Sequence, residues 1–136
     1  MKTLYLIRSG IRVFIAILII GCGAETVAAV LFIPAFSATW NVEGNDVYRI
    51  DLQPDEANKG VHAGVFEGEE QHDTIPAHNG NFLSGSFSGL NIEFTIERSN
   101  NEKIQYVGRM QTISETDHQV IRIELQSTEG ALVLVQ

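Results

Sequence analysis

Three histidines, His62, His72 and His78, stand close together in the chain beside Glu67, Glu69, Glu70 and Asp73. Imidazole and carboxylate groups in such a cluster suit zinc. No pair of these histidines has the His-x-x-x-His spacing that puts two ligands on one helix face. The stretch GEEQHD over residues 68–73 has the composition of a solvated hairpin loop, so no metal or other cofactor is expected. Ser84, Ser86 and Ser88 alternate along one strand face, opposite Leu83 and Phe87. Gly85-Ser86-Phe87-Ser88-Gly89 places its serines in a strand and hairpin frame, not at the strand-to-helix elbow that exposes a nucleophile. No catalytic residue is assigned, and the chain is read as a non-enzyme. One reactive atom remains, the thiol of Cys22, which is the only cysteine.

The elements that would position these groups are read from periodicity. After residue 37, short alternating runs are separated by turn signals, which is an all-β pattern. Strands are expected over 37–42, 47–53, 60–67, 74–77, 82–88, 90–98, 103–113, 118–126 and 131–136. A turn over 54–59 and the charged loop over 68–73 separate the early ones. Asn79-Gly80 is the strongest hairpin signal, because both residues tolerate positive φ. Leu90, Ile92, Phe94 and Ile96 share the inward face of one strand, and Ile121, Ile123 and Leu125 that of another. Connections this short join antiparallel neighbours.

A form large-x-Gly-x-large recurs at His62-Ala-Gly64-Val-Phe66, Leu83-Ser-Gly85-Ser-Phe87 and Tyr106-Val-Gly108-Arg-Met110. A strand glycine marks a bend or a close approach. Repeated hairpin by hairpin, it suits a sheet that curls until it closes, which also removes edge strands. The expected fold is an all-β antiparallel meander of about eight strands closing into a small barrel over residues 37–136. By the repeat register His62 faces the interior as a polar group at a pocket. The other interior candidates, as ligand lining or as core, are Trp40, Tyr48, Phe66, Phe87, Phe94 and Tyr106.

The context of Cys22 is a signal. Lys2, Arg8 and Arg12 precede an uncharged run over 13–20 (VFIAILII), and then Gly21 and Cys22. A basic stretch, a short apolar core and small residues make a secretory signal. The core is shorter than the roughly 20 residues of a spanning helix. Ile19-Ile20-Gly21-Cys22 resembles a bacterial lipobox. That resemblance implies a signal peptide over 1–21, acylation of Cys22, an apolar tether over 22–36 and attachment to a membrane. Gly23, where that family uses Asp for inner-membrane retention, implies the outer membrane, with the domain facing the periplasm. Two other readings are an uncleaved helix over about 11–33 and cleavage after Ala35-Phe36-Ser37. All three send the domain out of the cytoplasm, where a chain with no later cysteine has nothing to mispair.

Beyond the signal, six basic residues face 17 acidic ones, a formal charge of −11. Such a domain repels phosphate backbones, and nucleic acid is not an expected partner.

Ala38-Thr39-Trp40 is similar to the Gly-x-Trp motif that opens lipocalins and avidin-like barrels. There the tryptophan plugs one end. With the meander and the bent strands, the chain resembles small bacterial lipoproteins that carry a lipocalin-like, or calycin-like, barrel. The resemblance implies a small apolar ligand held in the barrel. The alternative is a solid barrel that docks to another envelope protein.

Overall fold

The computed structural model describes residues 32–54 and 60–136. Cys22 and the lipobox expected around it, the signal expected over 1–21, the expected tether as far as residue 31 and the turn expected over 55–59 lie outside the described residues. Among the described residues, eight strands run in simple up-and-down order and close into a barrel. They are β1 (Ala38–Val42), β2 (Asn45–Pro54), β3 (Ala63–His72), β4 (Asn81–Ser88), β5 (Asn91–Glu97), β6 (Lys103–Thr112), β7 (Val120–Ser127) and β8 (Gly130–Val135). All neighbours are antiparallel, and closure satisfies the outer strands' peptide groups.

Alternation decides what each strand buries. Tyr48, Ile50 and Leu52 on β2 point in, as do Ile92, Phe94 and Ile96 on β5, and all are buried. Trp40, opposite Ile50 in the β1–β2 register, is fully buried. The serines of β4 point outward: Ser84 and Ser88 are exposed between buried Leu83 and Phe87.

Two glycines of the repeat, Gly85 and Gly108, stand where a neighbouring strand leaves no room for a side chain, and on β3 that place is taken by Gly68, outside the repeat. A Cβ built on Gly85 would lie within bonding range of the Glu93 carbonyl oxygen and 2.8 Å from the Phe66 ring. One on Gly108 would meet the Glu124 carbonyl in the same way. The neighbouring backbone therefore passes where a side chain would stand. Gly85→Val is expected to destabilise the barrel by the upper part of the ~1–3 kcal/mol typical of overpacking. A melting temperature at or above wild type would show that the close approach carries no energy.

Several local expectations are corrected. Residues 68–73 are not a loop: β3 runs through to His72, with Glu69 opposite Asp51 and Glu70 opposite Ile50. Its acidic composition misleads because Glu70 points inward to a partner far along the chain. Residues 74–77 form no strand; Pro76–His78 is a 3-10 turn within the long connection from β3 to β4. Gly80 takes positive φ at 74°, but Asn79 stays extended, so the pair ends a longer connection instead of making a two-residue hairpin. Ile121 points outward and is 41% exposed, while Val120 and Ile123 are both buried. The cause is a bulge: the β6–β7 register steps from Gln111–Arg122 to Thr112–Val120, and Ile121 is the extra residue. The packed unit also begins before Ser37, because Phe36 is only 2% exposed within the core.

Candidate functional site

The barrel has two chemically different ends. At one, which also carries the 43–44 turn, the 73–80, 98–102 and 128–129 connections gather around a buried polar cluster. At the other, the segment 32–37 crosses the mouth.

The polar end is built on alternation carried one step beyond the apolar residues. On β3 the inward series Phe66, Gly68 ends at Glu70 and His72. On β5 the series Ile92, Phe94, Ile96 ends at Arg98. Glu70 is fully buried, and its carboxylate accepts four hydrogen bonds. The Tyr48 hydroxyl donates to it at 2.5 Å and Asn81 Nδ2 at 2.7 Å. Arg98 donates from Nη2 at 2.9 Å and from Nε at 3.2 Å. Arg98 also donates to Glu129 on the β7–β8 turn, which takes a further bond from the Tyr106 hydroxyl at 3.2 Å. Burial opposes the Arg98 charge, but the hydrogen bonds to Glu70 and Glu129 outweigh it and hold its pKa above the ordinary value. Burial, followed by the bond to Glu70, pushes the Tyr48 phenol well up. The Glu129 carboxyl is held down chiefly by its bond to Arg98.

His72 stands beside this cluster, its ring 5.1 Å from Tyr48 and 5.9 Å from His78. Its Nδ1 accepts the backbone N–H groups of Thr74 and Ile75, which shapes the connection to β4. His62 lies at the opposite end of β3, so the three histidines do not converge. Among the described residues no three His, Cys, Asp or Glu side chains are grouped to hold a metal ion.

The mouth is closed by the segment before β1. Ala35 pairs in parallel with Gln119: its N–H donates to His118 O at 2.8 Å, and Val120 N–H donates to Ala35 O at 3.0 Å. Two histidines clasp the same segment. His62 Nδ1 bonds Phe32 O at 2.5 Å and His118 Nδ1 bonds Ile33 O at 2.9 Å. A carbonyl only accepts, so both Nδ1 atoms carry the proton. The Phe32 ring stacks on His118 at 5.4 Å. Phe36 enters the barrel edge-on to Phe87 at 5.0 Å and Phe66 at 5.5 Å. Its carbonyl accepts Trp40 Nε1–H at 3.0 Å. Beside this segment runs a groove of about 460 Å³. Ile33, Pro34, Phe36, Pro54 and Phe87 line it, together with the polar His118 and Gln119.

The seven interior candidates therefore divide. Phe66 and Phe87 pack at the mouth, and His62 stands half-buried on its rim, just before β3, as a clasp for Phe32 O. Tyr48 and Tyr106 belong to the polar end. Trp40 and Phe94 lie in the buried core, with Phe94 stacked on Tyr106 at 5.4 Å. No sequence expectation placed Glu70, Arg98, Asn81, Glu129 or Phe36 inside the barrel. For Glu70 and Arg98 the signal was present, since two-residue alternation from Phe66 and from Ile96 reaches them. Phe36 was assigned to the tether, and Glu129 sits in a turn whose inward reach no pattern announces.

Compared with known proteins, the chain matches no family model, no curated protein and no solved structure.

Proposed function

We propose that this chain is a membrane-tethered, non-catalytic envelope protein that binds a small apolar ligand at the mouth of its barrel, outside a filled interior. The observation that carries the reading is the mouth groove. Its volume lies within the ~300–1,000 Å³ of small-molecule sites, and apolar walls with a few polar groups are typical of them. The six rings offered as ligand lining are buried, Phe94 packing on both Phe66 and Tyr106, and the groove lies beside them.

The lipobox reading supports the same picture. From an acylated Cys22 the chain reaches Phe32 in ten residues, no more than about 35 Å of extended chain. The mouth, where that chain enters the barrel, is then within reach of the bilayer, a natural source of apolar ligand. Acyl chains anchor at about 0.8 kcal/mol per buried CH₂. Cys22→Ser is expected to leave an unprocessed precursor without acyl mass. Identical detergent partitioning of wild type and variant, with acyl mass on neither, would remove the lipobox and favour the uncleaved helix.

Native mass spectrometry of protein purified from membranes tests the ligand. The expected result is a discrete apolar adduct that Ile33→Glu, a change to a half-buried groove residue, abolishes. A wild-type spectrum with no adduct, and no saturable uptake of added apolar probes, would sink the reading. A solid barrel that docks to an envelope protein is the second reading. It is favoured by Val65 on β3 and Val107 on β6, each about half exposed on the barrel's outer surface and set apart by Ser86 and Glu93 on the strands between them. Crosslinks from that face to one partner, with no adduct at the mouth, would support it.

A further inference from the structure

We infer that Phe36 is a built-in occupant of the ligand site, and that the segment 32–37 is a strap which an aromatic ligand bearing a carbonyl acceptor displaces. The inference rests on the proposal that the mouth binds an apolar ligand, and it names that ligand's chemistry from what Phe36 already does.

The ring of Phe36 is held edge-on by Phe66 and Phe87, at centroid distances of 5.5 and 5.0 Å. These are favoured geometries for aromatic pairs. The carbonyl of the same residue satisfies the buried Trp40 Nε1–H. Phe36 thus presents a phenyl ring, two carbons and a carbonyl oxygen to a site that recognises both ends. Any replacement must supply both, because an indole N–H left buried without an acceptor is costly. An apolar chain with no acceptor fills only half of the site.

Among the described residues the strap has little strand pairing with the barrel wall. It precedes β1 and meets β7 through one isolated bridge, Ala35 to Gln119. The adjoining β1–β8 seam has two residue pairs, Asn41–Val135 and Val42–Leu134, against seven between β2 and β3. Among the described residues the other holds are the two histidine bonds to Phe32 O and Ile33 O, the Phe32–His118 stack, the Ser37 hydroxyl bond to Gln53, and Phe36 itself, through its ring and its carbonyl. Release of the strap frees the space of the Phe36 ring beside Phe66 and Phe87 and opens the groove on its strap side, at Ile33, Pro34 and Phe36, while its walls at Pro54 and Phe87 stay. Regions with few contacts are the ones that open first.

The test is a titration of the full-length chain in nanodiscs with 3-phenylpropanamide, which copies the phenyl-to-carbonyl spacing of Phe36. Propanamide, with the acceptor but no ring, is the control. The expected result is a saturable change in the emission of Trp40, the only tryptophan. It is accompanied by at least a tenfold rise in hydrogen exchange at the amides of Ala35 and Val120, with no rise across β5. Phe36→Ala is expected to bind the probe about tenfold more tightly, because no resident side chain has to leave. The wild-type titration is decisive even if the variant fails to fold. Saturable binding that leaves Trp40 and both amides unchanged overturns the inference while the groove reading stands. No saturable binding by wild type or by a folded Phe36→Ala overturns the inference, and the groove reading falls with it only if the native spectra and the other apolar probes are negative as well.

Discussion

Arg98→Met is expected to destabilise the barrel by about 3–5 kcal/mol, the usual result of stripping one partner from a buried ion pair. Arg98 is 6% exposed and gives Glu70 two of its four hydrogen bonds. With a thioether in its place, the fully buried Glu70 keeps Tyr48 and Asn81 but loses the one cation paired with it among the described residues. Glu70 is enclosed by the barrel wall and cannot turn to water. Denaturant midpoints of wild type and variant measure the loss. A change below about 1 kcal/mol would mean that water reaches Glu70 in solution. The double variant Glu70→Leu/Arg98→Met separates the pair from its parts. If the charge left behind is the cost, the double change destabilises less than Arg98→Met alone, since buried ion pairs exchange for apolar packing at little net loss.

The same cluster gives the barrel an acid and an alkaline limit. The Glu129 carboxyl is held below its ordinary value of 4.5 by Arg98. A lowered folded pKa contributes stability that is present above the ordinary value and lost as pH falls through the lowered one. Arg98→Met is therefore expected to flatten the fall in stability below about pH 4.5. The Tyr48 phenol is raised, so its contribution is complete below its ordinary value of 10.0 and lost as pH rises beyond it.

Trp40→Ala is the second large effect, at about 3–5 kcal/mol, a substantial part of the roughly 5–15 kcal/mol of an ordinary domain. Trp40 has no exposed surface, and its indole N–H bonds Phe36 O. Truncation leaves a void in the centre of the barrel, and it also removes the donor that ties the mouth segment to β1. The loss is therefore expected to exceed that of a purely apolar truncation such as Leu83→Ala, at a site that is equally buried. In wild type, the emission of Trp40 should be blue-shifted and resist acrylamide. Emission like that of free indole in water, easily quenched, would place β1 outside the packed barrel.

Alternation was the dependable guide to this protein. It placed Tyr48, Ile50 and Leu52, the series Ile92, Phe94, Ile96, and the outward serines of β4 on the correct faces. The reason is that a strand buried on one side repeats its environment every second residue whatever lies across from it. The curling sheet was legible too, since Gly85 and Gly108 stand where a neighbouring backbone leaves no room for a side chain. Composition was the poor guide. It made a solvated loop of the segment holding Glu70, because a buried carboxylate and an exposed one are the same letter. The two differ by Arg98, which lies 28 residues further on. It also made a tether of Phe36, whose place in the core depends on Phe66 and Phe87 across the mouth.

The sequence by itself determined the fold class, the meander order and most of the inward faces, because these follow from local periodicity and turn chemistry. Only the tertiary structure decided the bulge that turns Ile121 outward, the pairing of Glu70 with Arg98, and the filling of the mouth by Phe36. Each of these depends on which distant residues the closing of the barrel brings together, and no local pattern in the chain encodes that meeting.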